Sequence, residues 1–128
     1  KNTKHISEKI ELKSPFILKP ALKFGAIFAV VLAFVKLAHV YLSSKGVYLV
    51  SFLSGFADVD AVTLSLSQLA GTALPLETAR NGIIIAAISN IAMKGGITFF
   101  FGEKKFSRMV VSFFVLLILL GIALIFML

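Results

Sequence analysis

The chain has 128 residues, of which 59% are hydrophobic and only 15% charged, with a formal net charge of +7. These values exclude an ordinary soluble domain, in which nearly half of the residues are apolar and about a quarter are charged. The absence of cysteine excludes disulfides and thiolate metal sites. Because most of the basic residues stand next to apolar runs, where residues contact lipid head groups, we expect a lipid bilayer as partner and no nucleic acid.

The pattern of apolar segments predicts an all-α integral membrane protein. Residues 1–15 are polar and mixed in charge, and we expect them in water or at the membrane surface. Residues 16–128 are predicted to form a single helical transmembrane domain. Each apolar segment is long enough to cross a hydrocarbon core of about 30 Å. The predicted segments are residues 21–42, 46–70, 79–101 and 109–128.

The first segment carries Lys36 and His39 one helical turn apart near its far end. We interpret Lys36 as a side chain that extends to the membrane surface. The link to the second segment, SSKG, is short. The first two segments are therefore predicted to be antiparallel neighbours.

The second segment has two acids, Asp58 and Asp60, in its middle. Each carboxylate at the centre of a bilayer costs about 2.5–3.5 kcal/mol, which indicates a role. In a regular helix the two would point about 200° apart and could not share one ion. Gly55 and the surrounding hydroxyls favour a break in the helix at this point. Discontinuous helices of this kind expose carbonyls and helix ends to ions in transporters.

The third segment carries a polar stripe, because Asn90, Lys94 and Thr98 follow one another at intervals of four residues. Asn81 is predicted to face the other way, and Lys94 is expected to pair with Asp58 or Asp60.

Carboxylate, hydroxyl and amide oxygens form a ligand set suited to Mg²⁺, Ca²⁺ or protons. Asp58 and Asp60 are the predicted metal ligands. The chain has no nucleophile–base pair that we can place, so we predict no enzyme, no catalytic residues and no cofactor besides a transported cation. The full set of predicted ion-binding or pathway residues is Asp58, Asp60, Thr63, Asn90 and Lys94. The supporting polar residues are Ser54, Ser65, Ser67 and Thr98.

Three stretches carry a resemblance to a known family: PFILKPALKFG, YLVSFLSGFADVDAVTLSLSQLA and ARNGIIIAAISNIAMKGG. Together they resemble the C-terminal membrane domain of MgtC/SapB-type membrane proteins, over most of residues 15–105. The most specific pieces are SGFADVDAVTLS and SNIAMK. The resemblance implies a link to magnesium or other divalent ions. It also implies that the family's polar core consists of Asp58, Asp60, Thr63, Asn90 and Lys94.

Charge places two topologies in competition. With the N-terminus in the cytoplasm, four crossings would put the basic residues of the loop 102–108 outside, against the positive-inside rule. A second segment that enters and returns, with its break at Asp58–Asp60, would move that loop to the cytoplasmic side with the N-terminus. A third alternative is an antiparallel dimer of two oppositely inserted copies.

Two functions remain open from the sequence. The first is a small oligomeric transporter or channel for a divalent or proton-coupled cation, a homodimer in a prokaryotic inner membrane. The second is a regulatory or scaffolding module that binds another membrane protein, with polar residues that serve only assembly. Interhelical polar contacts contribute about 0.6–2 kcal/mol each, which is sufficient for this second role.

Overall fold

The structure, a computed structural model, describes the backbone of residues 2–128 and the side chains of residues 17–128. The prediction that residues 1–15 form a polar segment in water concerns side chains that all lie outside this range. The described chain is helical and confirms the all-α prediction. The helices are α1 (Asn2–Ala57), α2 (Val59–Leu69), α3 (Leu76–Phe101) and α4 (Lys104–Met127).

The first helix folds back on itself at Ser43, which is non-helical with φ 57° and ψ −146°. A serine with positive φ is strained, and such residues persist only where their surroundings hold them. Beyond it, Gly46 packs so closely on Ala38 that an added Cβ would lie 2.5 Å from the Ala38 carbonyl oxygen. The part of α1 after Ser43 (residues 44–57, the second arm) therefore returns along the part before it (residues 17–42, the first arm).

The second predicted segment is broken at Asp58, which separates α1 from α2. Asp58 is extended, and its Oδ1 accepts a hydrogen bond from the backbone N–H of Asp60 at 2.9 Å. This is the geometry of an N-cap, in which a side-chain oxygen satisfies a free N–H of the first helical turn. The predicted break at the acidic pair is thus confirmed.

The short helix α2 runs back beside the second arm. Leu66, near its end, and Ser51, in the middle of the second arm, both lie against Gly82 of α3. Its last residues reach the level of His39 on the first arm, where Leu69 helps to line a cavity. The second arm and α2 together form an antiparallel pair, the short hairpin (residues 44–69).

The third helix runs in the same direction as the second arm, and α4 packs against it in the opposite direction. In α4, Phe114 approaches Gly95, and Gly121 approaches Ile84 and Ile88. The contacts between α3 and the second arm follow the same order along both helices. They are Ser44 with Thr78, Tyr48 with Asn81, and Gly55 with Ala86.

The core is small and lies where the short hairpin meets the first arm and α3. It consists of Val31, Val35, Val47, Ala61, Val62, Leu66, Leu69, Leu74, Ala79 and Ala86. By contrast, α4 buries only Ser107. The remaining apolar surface faces outward, as expected of a protein whose solvent is lipid.

Three described stretches are long and apolar enough to cross a membrane: Ile17–Ala57, Leu76–Phe101 and Lys104–Met127. Because the chain reverses at Ser43, the first arm is the part of the first stretch that is expected to cross. The two members of the short hairpin reach only about 20 and 16 Å, which is too short to cross, so we expect the hairpin to enter and leave at one side. The side of the membrane that holds Ser43 and the turn 70–75 is called the turn side. The opposite side, where Glu103 lies, is called the basic side.

Candidate functional site

The candidate site is the tip of the short hairpin, where Asp58 interrupts the helix. A break of this kind leaves the last carbonyls of one helix and the first N–H groups of the next without helical partners. Two of these groups are satisfied locally. Asp58 donates its backbone N–H to the Ser54 oxygen at 2.8 Å and accepts the N–H of Asp60.

A third helix supplies the next partner. The Asn90 side-chain amide donates to the Gly55 carbonyl oxygen at 2.9 Å, so α3 is tied to the last turn of the second arm. The two helices approach closely here, because a Cβ on Gly55 would collide with the Ser89 hydroxyl and the Ala86 backbone. Since the bond uses the Asn90 nitrogen, the amide oxygen is left for another partner.

In a membrane that α3 crosses, the tip lies close to the middle. The midpoint of α3 falls between Ile88 and Ser89, directly beside the residue that holds Gly55. At about 1.5 Å per residue, α3 is about 38 Å long, slightly more than a hydrocarbon core of about 30 Å. Asp58 and its neighbours therefore stand at about half depth, where irregular backbone is tolerated only within protein or beside water.

The acidic pair is not buried within a single chain: Asp58 is half-buried and Asp60 is exposed. No salt bridge involves either acid in residues 17–128, so the expected ion pair with Lys94 is not formed. Lys94 is exposed about one helical turn beyond Asn90, toward the basic side. The expectation failed because the hairpin tip stops at Asn90 and does not extend as far as Lys94.

The predicted hydroxyls mostly bond to their own helices. Thr63 donates to the Val59 oxygen at 2.7 Å, and Ser65 donates to the Ala61 oxygen at 2.8 Å. Thr98 likewise donates to the oxygen of Lys94 at 2.9 Å. Ser54 lies before the break and Ser65 and Ser67 lie after it. Because the chain reverses at the break, these residues do not share the faces of one regular helix. Ser54 is half-buried, Ser65 is buried and Ser67 is exposed.

A metal ion would find few carboxylates in one chain. In the described part of the chain, no three His, Asp or Glu side chains are grouped so that they could hold a metal ion. Asp58 and Asp60 would have to be joined by backbone carbonyls, the Asn90 oxygen, water or a second copy. Mg²⁺ accepts such a set, because it usually keeps several waters and takes only one or two carboxylates.

A second polar group joins the base of the short hairpin to α3. Arg80 donates to the Asn81 side-chain oxygen at 3.2 and 3.1 Å, and Asn81 donates to the Tyr48 hydroxyl at 3.4 Å. Ser44 and Thr78 share a hydrogen bond of 3.0 Å one turn away. Asn81 was predicted to lie on the opposite face of α3 from Asn90, yet both contact the second arm. The polar dipeptide Arg80-Asn81 at the start of an apolar helix was the sequence signal that could have predicted this polar group.

Comparison with known proteins places the candidate site inside a family. Residues 1–102 match the model of a family described as "Domain of unknown function (DUF4010)". An uncharacterized protein of Aquifex aeolicus (strain VF5) is 35% identical over 97 residues, which are 75% of this chain and 42% of that protein. The chain thus spans less than half of that relative's length, and no solved structure matches it. Neither description mentions MgtC or SapB, so that resemblance stays a prediction. The chain belongs to the DUF4010 family.

Proposed function

We propose that this protein is a small oligomeric transporter or channel for a cation in a prokaryotic inner membrane. The cation is divalent, with Mg²⁺ as the first candidate, or moves with protons. The observation that carries the proposal is the break at Asp58, which stands at about half depth and is held from α3 by Asn90. Transporters place their ion sites at such breaks, near the midplane.

Each residue at the tip has a role in this proposal. Asp58 and Asp60 attract the cation, and the Asn90 oxygen and free carbonyls of the second arm complete its shell. Thr63 contributes its hydroxyl oxygen, which retains a lone pair when it donates to Val59. Lys94, one turn further toward the basic side, repels a second cation or neutralises the empty site. The resemblance to MgtC/SapB-type proteins supports a divalent ion.

The exposure of the acids supports an oligomer. An exposed carboxylate such as Asp60 would meet hydrocarbon at half depth, at a cost of about 2.5–3.5 kcal/mol. A second copy that covers Asp60 would remove this cost and enclose a water-filled path. A homodimer is the simplest assembly that provides it.

The distribution of charge supports one orientation. The basic side holds Lys19, Lys23, Lys104, Lys105 and Arg108, whereas the turn side holds fewer, namely Lys36, Lys45 and Arg80. The positive-inside rule then assigns the basic side to the cytoplasm. The short hairpin would enter from the outer face.

Ion flux into proteoliposomes tests the proposal, with Mg²⁺, Ca²⁺, Mn²⁺, Na⁺, K⁺ and H⁺ in turn. We expect flux of one cation with the wild-type protein and at least a tenfold loss with Asp58→Asn or Asp60→Asn, since each removes a negative charge. Asparagine is as good an N-cap as aspartate, so Asp58→Asn keeps the helix break.

The control is Glu77→Gln, which removes an exposed carboxylate from the first turn of α3, away from the tip. Its flux should equal that of the wild type. Equal losses in all three variants, or no flux of any ion from folded protein, would contradict the proposal.

The second candidate is a module that binds another membrane protein. It is favoured by one observation: the chain covers only 42% of its Aquifex relative, so a further part of such a protein could cover Asp60. Under this function Asp60→Asn changes the size of the purified assembly, measured by light scattering, and no ion flux is seen.

A further inference from the structure

A cavity of about 280 Å³ lies at the turn side, away from the hairpin tip. It lies between the end of the first arm and the turn that follows α2. Its volume is just below that of sites for drug-sized ligands, about 300–1,000 Å³, so it suits one small chemical group. The cavity is lined by Lys36, His39, Val40, Leu69, Ala73 and Leu74.

One lining residue lacks a partner. In the described part of the chain, one buried side-chain nitrogen or oxygen atom has no hydrogen bond, and this atom is His39 Nδ1. Buried polar atoms are almost always bonded, so each exception requires an explanation. Nδ1 itself is closed off from solvent, whereas Nε2 is not among the buried atoms, so Nε2 is the ring nitrogen that a group in the cavity can reach.

The second polar lining residue is Lys36, three residues earlier and therefore on the same face of the first arm. It makes no salt bridge in the described structure and is exposed. No carboxylate lines the cavity. The site thus offers a cation and an imidazole donor to an anion, with apolar walls on the remaining sides.

We propose that this cavity binds a phosphate group. Lys36 provides the positive charge, and the His39 imidazole donates to a phosphate oxygen. The four other lining residues are apolar and suit the glycerol and first methylenes of a phospholipid. Lys36 lies about 9 Å along the helix before the end of the first arm at Leu42, a depth that a lysine side chain spans to reach the head groups.

Such a group would tie the first arm to the base of the short hairpin, because the cavity is lined by both. A ligand that binds only the folded protein raises its stability by mass action. Thermal unfolding of the detergent-solubilised protein therefore measures binding, independently of any ion flux.

The experiment titrates short-chain phosphatidylglycerol, short-chain phosphatidylcholine and inorganic phosphate against the wild type, Lys36→Gln and His39→Leu. We expect phosphatidylglycerol to raise the melting temperature of the wild type more than the net-neutral phosphatidylcholine does. Each substitution should weaken the apparent affinity about tenfold or more, since each removes a donor to a charged group.

The matched control is Lys45→Gln, which removes an exposed lysine from the same side of the membrane but not from the cavity. It should respond as the wild type does. A response to inorganic phosphate alone that both cavity variants lose would support the site and assign it to a soluble phosphate. Equal responses of the wild type and both cavity variants to every ligand would overturn the proposal.

Discussion

Asn90 and Thr98 belong to the same polar stripe in the sequence, but their side chains form different kinds of hydrogen bond. Asn90 reaches across to the Gly55 carbonyl, whereas Thr98 bonds to Lys94 within its own helix. A side chain long enough to leave its helix can satisfy a group of another element. The shorter Thr98 hydroxyl bonds to the backbone of its own helix instead.

This difference predicts unequal costs for two nearly isosteric substitutions. Asn90→Leu leaves the Gly55 carbonyl without its donor and should lower the free energy of unfolding by about 1–3 kcal/mol. Thr98→Val removes a hydroxyl that holds no other element and should change it by less than about 0.5 kcal/mol. Reversible unfolding in bicelles measures both values. Equal effects would mean that the Asn90 bond contributes nothing to the short hairpin.

Among the elements, the pair formed by the second arm and α3 depends on the absence of one side chain. Glycine at position 55 lets the second arm approach the Ala86 backbone and the Ser89 hydroxyl. Small residues at helix crossings are the usual means of close packing in membranes, where no hydrophobic force draws helices together. The crossing in turn brings Asn90 within reach of the hairpin tip.

Gly55→Ala should therefore force the second arm and α3 apart and destabilise the fold by about 1–3 kcal/mol, the usual cost of overpacking. The control is Gly96→Ala, because a Cβ at Gly96 meets nothing within 4 Å. That substitution should stabilise α3 by about 0.5–1 kcal/mol, as alanine does relative to glycine inside a helix. Melting temperatures in one detergent compare the two. A neutral Gly55→Ala would contradict the close crossing.

Across the fold, the lengths of the helices favour one of the topologies that the sequence left open. The first arm, α3 and α4 are long and apolar enough to cross a membrane, whereas the two members of the short hairpin are too short, so we expect the hairpin to enter and return. The loop that contains Lys104 and Lys105 then shares a side with Lys19 and Lys23. This arrangement satisfies the charge bias that four crossings violate.

Single cysteines test this topology cleanly, because the natural sequence has none. Lys45→Cys and Thr72→Cys should react with a membrane-impermeant maleimide from one side, and Lys105→Cys from the other. All three positions are exposed. Labelling of Lys45→Cys and Thr72→Cys from opposite sides would instead show that the second segment crosses.

The helical membrane class, the approximate segments and the break at Asp58 could be predicted from the sequence. These depend on local properties: apolar length, the cost of a carboxylate in lipid, and the capping preference of aspartate. The folded structure was needed to show that the chain returns after Asp58, that Asn90 donates to the Gly55 carbonyl, and that Lys94 stays apart from the acids. The direction of a chain after a break depends on which helices pack together, and that depends on contacts between residues far apart in sequence.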